Sequence, residues 1–225
     1  RLAYDELLAN QLALLIVRGR QRKRTGRAIA GDGRLCDKLE KALPFKLTGS
    51  QLQALSEISG DMKSELRMLR LLQGDVGSGK TVVALMAMLA AVEEGAQAAL
   101  MAPTEILARQ HFATIAPLAE AIGVQTILIT GRDKGKKREA LVNGLTTGET
   151  SIAIGTHALF QDDVQFKELA LVAVDEQHRF GVHQRLALAG KGIAADILVM
   201  TATPIPRTLM MTAYGDLETS RLTDK

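Results

Sequence analysis

Short apolar runs of four to six residues alternate along this chain with longer segments whose apolar positions recur at helical spacing. The run Leu69-Arg70-Leu71-Leu72-Gln73 is mostly apolar, as a buried parallel strand is. After a glycine-rich break, Val82 to Val92 is apolar without interruption, which predicts a helix buried on most of its sides. Further strands are predicted at Ala98–Ala102, Val124–Ile129, Ser151–Ile154, Leu169–Val174 and Asp196–Met200. A helix is predicted from Pro103-Thr104 through Ala119. Another is predicted near Ala140, behind a polar basic loop from Gly131 to Arg138. Strands that alternate with helices imply an α/β fold with a doubly wound, mainly parallel sheet. Polar motifs recur where these strands end, at the carboxyl edge where such sheets bind ligands.

Upstream, residues 2–17 have apolar positions at helical spacing and run into Arg18, Arg20, Arg22, Lys23, Arg24 and Arg27. Two readings of those cations stand open: a solvated helix end, or a strip that contacts phosphates. Gly31-Asp32-Gly33 reads as a turn, and Leu35–Leu43 as a short helix stopped by Pro44. Thr48 is a good N-cap for a helix carrying Gln51, Leu52 and Leu55. On its own Gln51 reads as an ordinary exposed helix residue.

The break before Val82 carries the chemistry. Gly74-Asp75-Val76-Gly77-Ser78-Gly79-Lys80-Thr81 fits the phosphate-binding pattern G-x-x-x-x-G-K-[ST]. Gly74, Gly77 and Gly79 let backbone approach a phosphate without a Cβ in the way. The amides of the loop and the helix N-terminus can then donate to one anion. Lys80 would reach the β and γ phosphates, and the Thr81 hydroxyl would ligate Mg²⁺. The plainer alternative, a glycine-rich turn with a solvated lysine, is disfavoured by the strand before the loop and the helix after it. The sequence therefore implies a nucleoside triphosphate site, with ATP and Mg²⁺ expected. A second polar signal fits it. Leu171-Val172-Ala173-Val174-Asp175-Glu176 ends an apolar run in two carboxylates, and buried strands rarely do so without a partner for the charge. Asp175 is expected to hold Mg²⁺ beside Thr81, and Glu176 to act as general base on the attacking water.

Composition narrows the class. A chain of 225 residues with 47% hydrophobic residues and 5 Pro suits one large α/β domain with an appendage and excludes a disordered protein. The single Cys36 excludes an internal disulfide and any multi-cysteine zinc site. The four histidines, 111, 157, 178 and 183, show no metal-ligand spacing. Net charge is +3, yet residues 1–27 hold 7 Lys and Arg against 2 Asp and Glu, leaving 21 against 23 elsewhere. Basicity is local. No run of 18 apolar residues exists, and the apolar stretch Leu12–Val17 precedes its basic run, the reverse of a signal peptide. A cytoplasmic location without membrane association is the expectation.

Five stretches together resemble, in order and spacing, motifs I, Ia, Ib, II and III of the superfamily 2 helicases. They are GDVGSGKT (74–81), APTEILARQH (102–111), GTHAL (155–159), DEQHRFGVHQR (175–185) and TATPIPRT (201–208). Gln177 and Gln184-Arg185 are most similar to the bacterial DNA helicases that remodel stalled replication forks. A sister group, the transcription-repair coupling factors, shares GDVG-GKT and TATPIPRT. The resemblance covers about residues 44–225 and implies a RecA-like domain there, the first of two, with residues 1–43 as a helical linker. It implies that Gln51 reads the adenine edge and that Phe45 packs on the base. Gln177 and His178, with Thr201 and Thr203, would couple hydrolysis to movement. Thr104, Arg109, Thr156 and His157 would contact the DNA backbone. In this family ATP lies between two RecA-like domains, and the second supplies arginine fingers. The second RecA-like domain and the wedge domain that grips branched DNA are not in this stretch of sequence. The isolated chain is therefore expected to hydrolyse ATP barely, if at all.

Two other classes compete: a P-loop ATPase with no nucleic-acid role, and a DNA-binding module with a vestigial nucleotide site. The motifs after the P-loop count against the first, and intact Lys80, Thr81, Asp175 and Glu176 against the second. With 2 Tyr, 5 Phe and no Trp, base stacking on aromatic platforms is disfavoured and backbone tracking on branched or double-stranded DNA fits better.

Overall fold

A computed structural model describes residues 26–175, 195–203 and 218–224. In chain order its elements are α1 (Arg34–Ala42), α2 (Gly49–Met62), β1 (Leu69–Gly74), α3 (Lys80–Glu93), β2 (Gln97–Met101), α4 (Glu105–Ala121), β3 (Thr126–Ile129), α5 (Gly135–Thr147), β4 (Ile152–Gly155), a single 3-10 turn (His157–Phe160), β5 (Leu169–Asp175), β6 (Asp196–Thr201) and β7 (Glu218–Leu222). The seven strands form one sheet in the order β3-β4-β2-β5-β6-β1-β7, and every neighbouring pair is parallel. This is the doubly wound parallel α/β architecture that the pattern of runs implied, and it agrees with the RecA-like domain that the resemblance implied.

A helix that is apolar on every side needs cover on every side. In α3, Val83, Leu85, Met88 and Leu89 are fully buried. One core runs from the sheet (Leu72, Leu100, Leu171, Leu198) through this helix to Ile29, Leu39, Ile58 and Met62. The outer cover is thus α1, α2 and the segment before them. Glu93, at the end of α3, fastens that cover. Its carboxylate accepts from the backbone N–H groups of Gly33 (2.8 Å) and Leu35 (2.5 Å), and so caps α1, whose N-cap Gly33 has no side chain to do it. A second core under the other face joins Met101, Leu145, Leu159 and Val172.

Three sequence expectations change. The third strand starts at Thr126, not Val124, because Gly123 (φ 81°) and Val124 still close α4: their N–H groups donate to Glu120 and Ala119, as at many helix ends. Helix α5 starts inside the basic loop, at Gly135. The cations of its first turn oppose the helix dipole, and acids offset them: Lys137 pairs with Asp133 (2.9 Å) and Arg138 with Asp163 (2.6 Å). Arg27, counted in the basic strip, is hydrogen-bonded to Glu168 and to the Glu94 carbonyl. The rest of that strip and the 2–17 helix lie outside the described residues. No described helix is long and apolar enough to cross a membrane.

At the amino edge of the sheet sits a polar cluster. Arg70, the second residue of β1 and only 6% exposed, is matched by Asp61 (2.7 Å), Glu57 (3.2 Å) and the Ser220 hydroxyl (2.9 Å). This bond set holds β7, whose sequence ETSRL buries only Ser220 and Leu222 and carries no apolar run to betray it. Nearby, Asp196 Oδ1 accepts from Met68 N–H (2.7 Å), while its Oδ2 is buried with no partner among the described residues. Burial, followed by repulsion from Asp61, pushes this carboxyl up to about 7. A raised acid pKa means that the folded state holds a proton which the unfolded chain has already lost. Its contribution is therefore favourable at low pH and is lost as pH rises to about 7. Asp196→Asn mimics the protonated acid. Its melting temperature relative to wild type should rise between pH 5 and pH 8, by a few degrees, and a pH-independent difference would refute this account.

Candidate nucleotide-binding site

The register of the sheet brings the motifs to one edge. Asp175 pairs with Met200, and Met200 with Leu72; Gln73 pairs with Thr201. On the other side Met101 lies against both Val174 and Gly155. The P-loop after β1, Asp175 at the tip of β5, Thr201 at the tip of β6, Thr104 beyond β2 and Thr156 beyond β4 therefore leave the sheet at the same end.

The loop has the geometry a phosphate needs. Gly77 (φ 85°) and Gly79 (φ 84°) are left-handed, which a side chain disfavours. Gly79 is the N-cap of α3 and no side chain caps that end, so its first N–H groups remain directed out of the helix. Gly74 is required by space: a Cβ there would strike Ser78 Oγ and lie 2.9 Å from Leu222 Cβ. Ser78 Oγ is itself buried with no hydrogen-bond partner among the described residues. Lys80 Nζ donates to the carbonyls of Gly74 (2.6 Å) and Asp75 (2.7 Å), so the ammonium lies across the mouth of the loop. Thr81 follows in the first turn of α3, and Val76 is exposed at the loop tip.

Gln51 is where sequence reasoning about the residue alone fails. It is 6% exposed, not a surface residue. Its Nε2 donates to the Ser78 carbonyl (2.8 Å) and its Oε1 accepts from Thr48 N–H (3.0 Å). Thr48 Oγ1 accepts in return from Gln51 N–H (3.4 Å), completing a capping box at the start of α2. One amide N–H and one oxygen lone pair remain within the capacity of this side chain for a base. Phe45, between α1 and α2, is 48% exposed.

Asp175 is met from α4. His111 Nε2 lies 2.6 Å from Asp175 Oδ2, and both side chains are 13% exposed. His111 is in the motif Ia stretch, but nothing in its sequence spacing flagged it. Gln73 is a second residue that was missed: its Nε2 reaches the Thr203 carbonyl at 3.5 Å. Thr201 is buried, and its Oγ1 accepts from Thr203 N–H (3.2 Å). Of the expected DNA-facing residues, Thr104 caps α4 through Leu107 N–H (3.3 Å) and Thr156 caps the 3-10 turn through Ala158 N–H (3.4 Å). Arg109 pairs with Glu105 (2.8 Å), which also holds Arg132 (3.1 Å). His157 is exposed. Glu176, Gln177 and His178 lie outside the described residues.

Among the described residues no group of three or more His, Cys, Asp or Glu could cage a metal ion. The donors offered are the hydroxyl of Thr81 and the carboxylate of Asp175, hard oxygens that suit Mg²⁺ shared with phosphates. An orphaned hydroxyl, two left-handed glycines and an open helix N-terminus fit a bound polyphosphate.

Fold and loop together define a RecA-like P-loop nucleotide-binding domain. The DEAD/DEAH box helicase family matches residues 48–212, and the chain belongs to that family. It is 49% identical over 224 residues to the ATP-dependent DNA helicase RecG of Escherichia coli K12 and 50% identical over 221 residues to that of Bacillus subtilis. In each case 98% of this chain aligns with 32% of the relative, so the chain spans about a third of the length of these relatives. A structure of RecG bound to a three-way DNA junction superposes with a TM-score of 0.87 at 46% identity, covering 100% of this chain and 30% of the other. The helicase MrfA bound to DNA (TM-score 0.65, 18% identity over 90% of this chain and 31% of that one) shares the fold.

The contact between loop and Gln51 is testable. A Cβ on Gly79 would strike Gln51 Nε2, at a backbone angle that alanine tolerates poorly. Gly79→Ala should destabilise the domain by more than about 1 kcal/mol in denaturant unfolding. Gln51→Ala in the same background should then cost less than it does in wild type, because the two substitutions break one contact.

Proposed function

We propose that this chain is the ATP-binding motor domain of an ATP-dependent DNA helicase that remodels branched DNA, such as stalled replication forks. The observation that carries the reading is the P-loop set by Gln51 beside Asp175 on one sheet edge, in a chain about half identical to RecG helicases over nearly its whole length. Lys80 exchanges the carbonyls of Gly74 and Asp75 for β and γ phosphate oxygens as nucleotide enters. The N–H groups of Gly77 to Thr81 take the remaining phosphate charge. Gln51, already fixed to Ser78, presents its second N–H to the adenine edge, and Phe45 covers the base. Thr81 and Asp175 hold Mg²⁺, which when bound neutralises phosphate charge during transfer. Glu176 takes the proton of the attacking water. Gln177, His178, Thr201 and Thr203 pass the change in phosphate contacts to the DNA side, where Thr104, Arg109, Thr156 and His157 meet the backbone.

Residues 1–43 serve in this reading as a helical linker, and residues 44–225 as the first RecA-like unit. The activity needs partners: branched or double-stranded DNA, and the second RecA-like and wedge domains of the same protein. Work takes place in the cytoplasm.

Calorimetric titration of ATP with Mg²⁺ into the full-length protein should show binding that Lys80→Ala removes. DNA-stimulated hydrolysis should disappear with it. This chain alone should turn over about 10³–10⁵-fold more slowly than the full-length protein, the worth of an arginine supplied from elsewhere. DNA affinity of the full-length protein should fall linearly on a log-log plot against salt. Affinity independent of salt would favour a P-loop ATPase without a nucleic-acid role, and equal turnover by the chain alone would refute the two-domain reading. A preference for plain duplex over branched DNA would favour a translocase of the transcription-repair coupling type.

A further inference from the structure

The hydrogen-bonded contact between α4 and β5 has no role in the mechanism above. His111 and Asp175 are 64 positions apart, and both are largely withdrawn from water where they meet, at 2.6 Å. A carboxylate that accepts here takes the bond from His111 Nε2–H. A contact this short to a carboxylate is of the strong class, and it restrains the rotation of a half-buried carboxylate at the tip of β5. The bond uses one of about four lone-pair positions on the carboxylate, leaving the group chemically able to face a cation as well.

The anchor is firm. Helix α4 is capped by Thr104, buries Ala108, Ile115 and Ala119, and contacts β3 and β4, so His111 projects from an element held along its length. The helix also carries Glu105, which holds Arg109 and Arg132. The imidazole thus carries a firm hold on this acid from a second element of the fold.

We propose that His111 is a positioning residue for the cation of the nucleotide site: it holds Asp175 in the orientation that engages Mg²⁺. This inference rests on the reading of Asp175 as a Mg²⁺-holding group, and the test separates the two. Binding of a non-hydrolysable ATP analogue to the full-length protein would be measured by calorimetry with Mg²⁺ and with EDTA, in wild type, His111→Ala, His111→Gln and Asp175→Asn. The ratio of the two affinities is the readout. Groups that orient metal ligands typically contribute 10–100-fold. His111→Ala should therefore lower the ratio about 10-fold and leave the affinity in EDTA unchanged. His111→Gln, with an amide N–H at similar reach, should restore most of the ratio. If His111→Ala folds poorly, His111→Phe keeps the ring without the donor and carries the same expectation.

A wild-type ratio in Asp175→Asn sinks the underlying reading of the acid. A lowered ratio in Asp175→Asn with a wild-type ratio in His111→Ala overturns the inference about the histidine alone. Equal losses with and without Mg²⁺, or failure of His111→Gln to restore the ratio, would mean that the histidine serves packing only, and also overturn it.

Discussion

The nucleotide end of this domain depends on one buried amide holding one loop carbonyl. A loop with glycines at 74, 77 and 79 has backbone freedom that must be removed before or during binding, and removal during binding weakens affinity. Gln51 removes part of it beforehand by fixing the Ser78 carbonyl at 2.8 Å. In a planar trans peptide the Ser78 carbonyl and the Gly79 N–H point in opposite directions. Drawing the carbonyl toward α2 therefore turns the following N–H toward the other side of the loop, where an anion is met. The left-handed φ of Gly79 and the absence of a Cβ that would strike Gln51 are what this geometry demands. The glycine, the glutamine and the loop direction are one constraint.

The helix start that supplies Gln51 also receives the far edge of the sheet. Ser50 N–H donates to Asp224 Oδ2 (2.7 Å), and Asp224 N–H donates to Ser50 Oγ (3.2 Å). The N–H of Ser50, chiefly, holds the Asp224 carboxyl below the usual range. Leu222, two residues earlier, packs where Gly74 has no side chain. Thus four consecutive residues, Thr48 to Gln51, cap α2, set the P-loop and tie down the segment after β7. At the opposite edge of the sheet Arg70 performs a similar service, joining β1, α2 and β7 through Glu57, Asp61 and Ser220. The polar strand β7 is held at both ends by side chains that other elements bury.

Much of this was legible beforehand, because the signals were local or periodic. Val82 to Val92 announced a helix needing cover on all sides, and the parallel sheet followed from apolar runs spaced by helices. The P-loop was visible in its glycine spacing, and the structure gives Gly77 and Gly79 the left-handed backbone such a loop uses. Residues whose importance lies in contacts across the fold were illegible. Gln51 looks exposed until Ser78 is brought to it from 27 positions away. His111 carries no local signal, since its partner lies 64 positions on. Strand β7 has two inward positions in five, too few to form a hydrophobic run, and it is recruited by Arg70. The early start of α5 was hidden by cations whose charge is offset by Asp163, which the sequence places far from them.

The contacts around the site are unequal in length. The P-loop is held from α2 at 2.8 Å and Asp175 from α4 at 2.6 Å, short bonds in buried surroundings. The strand between them in the sheet, β6, ends in Thr201, which pairs with Gln73 of β1, and the Gln73 side chain reaches the Thr203 carbonyl with Nε2 at 3.5 Å, its Oε1 buried and unmatched among the described residues. A bond at that distance is weak, and an unmatched buried oxygen is a reason to rearrange. The longest of these three side-chain contacts therefore falls at Thr203, in the stretch matching helicase motif III.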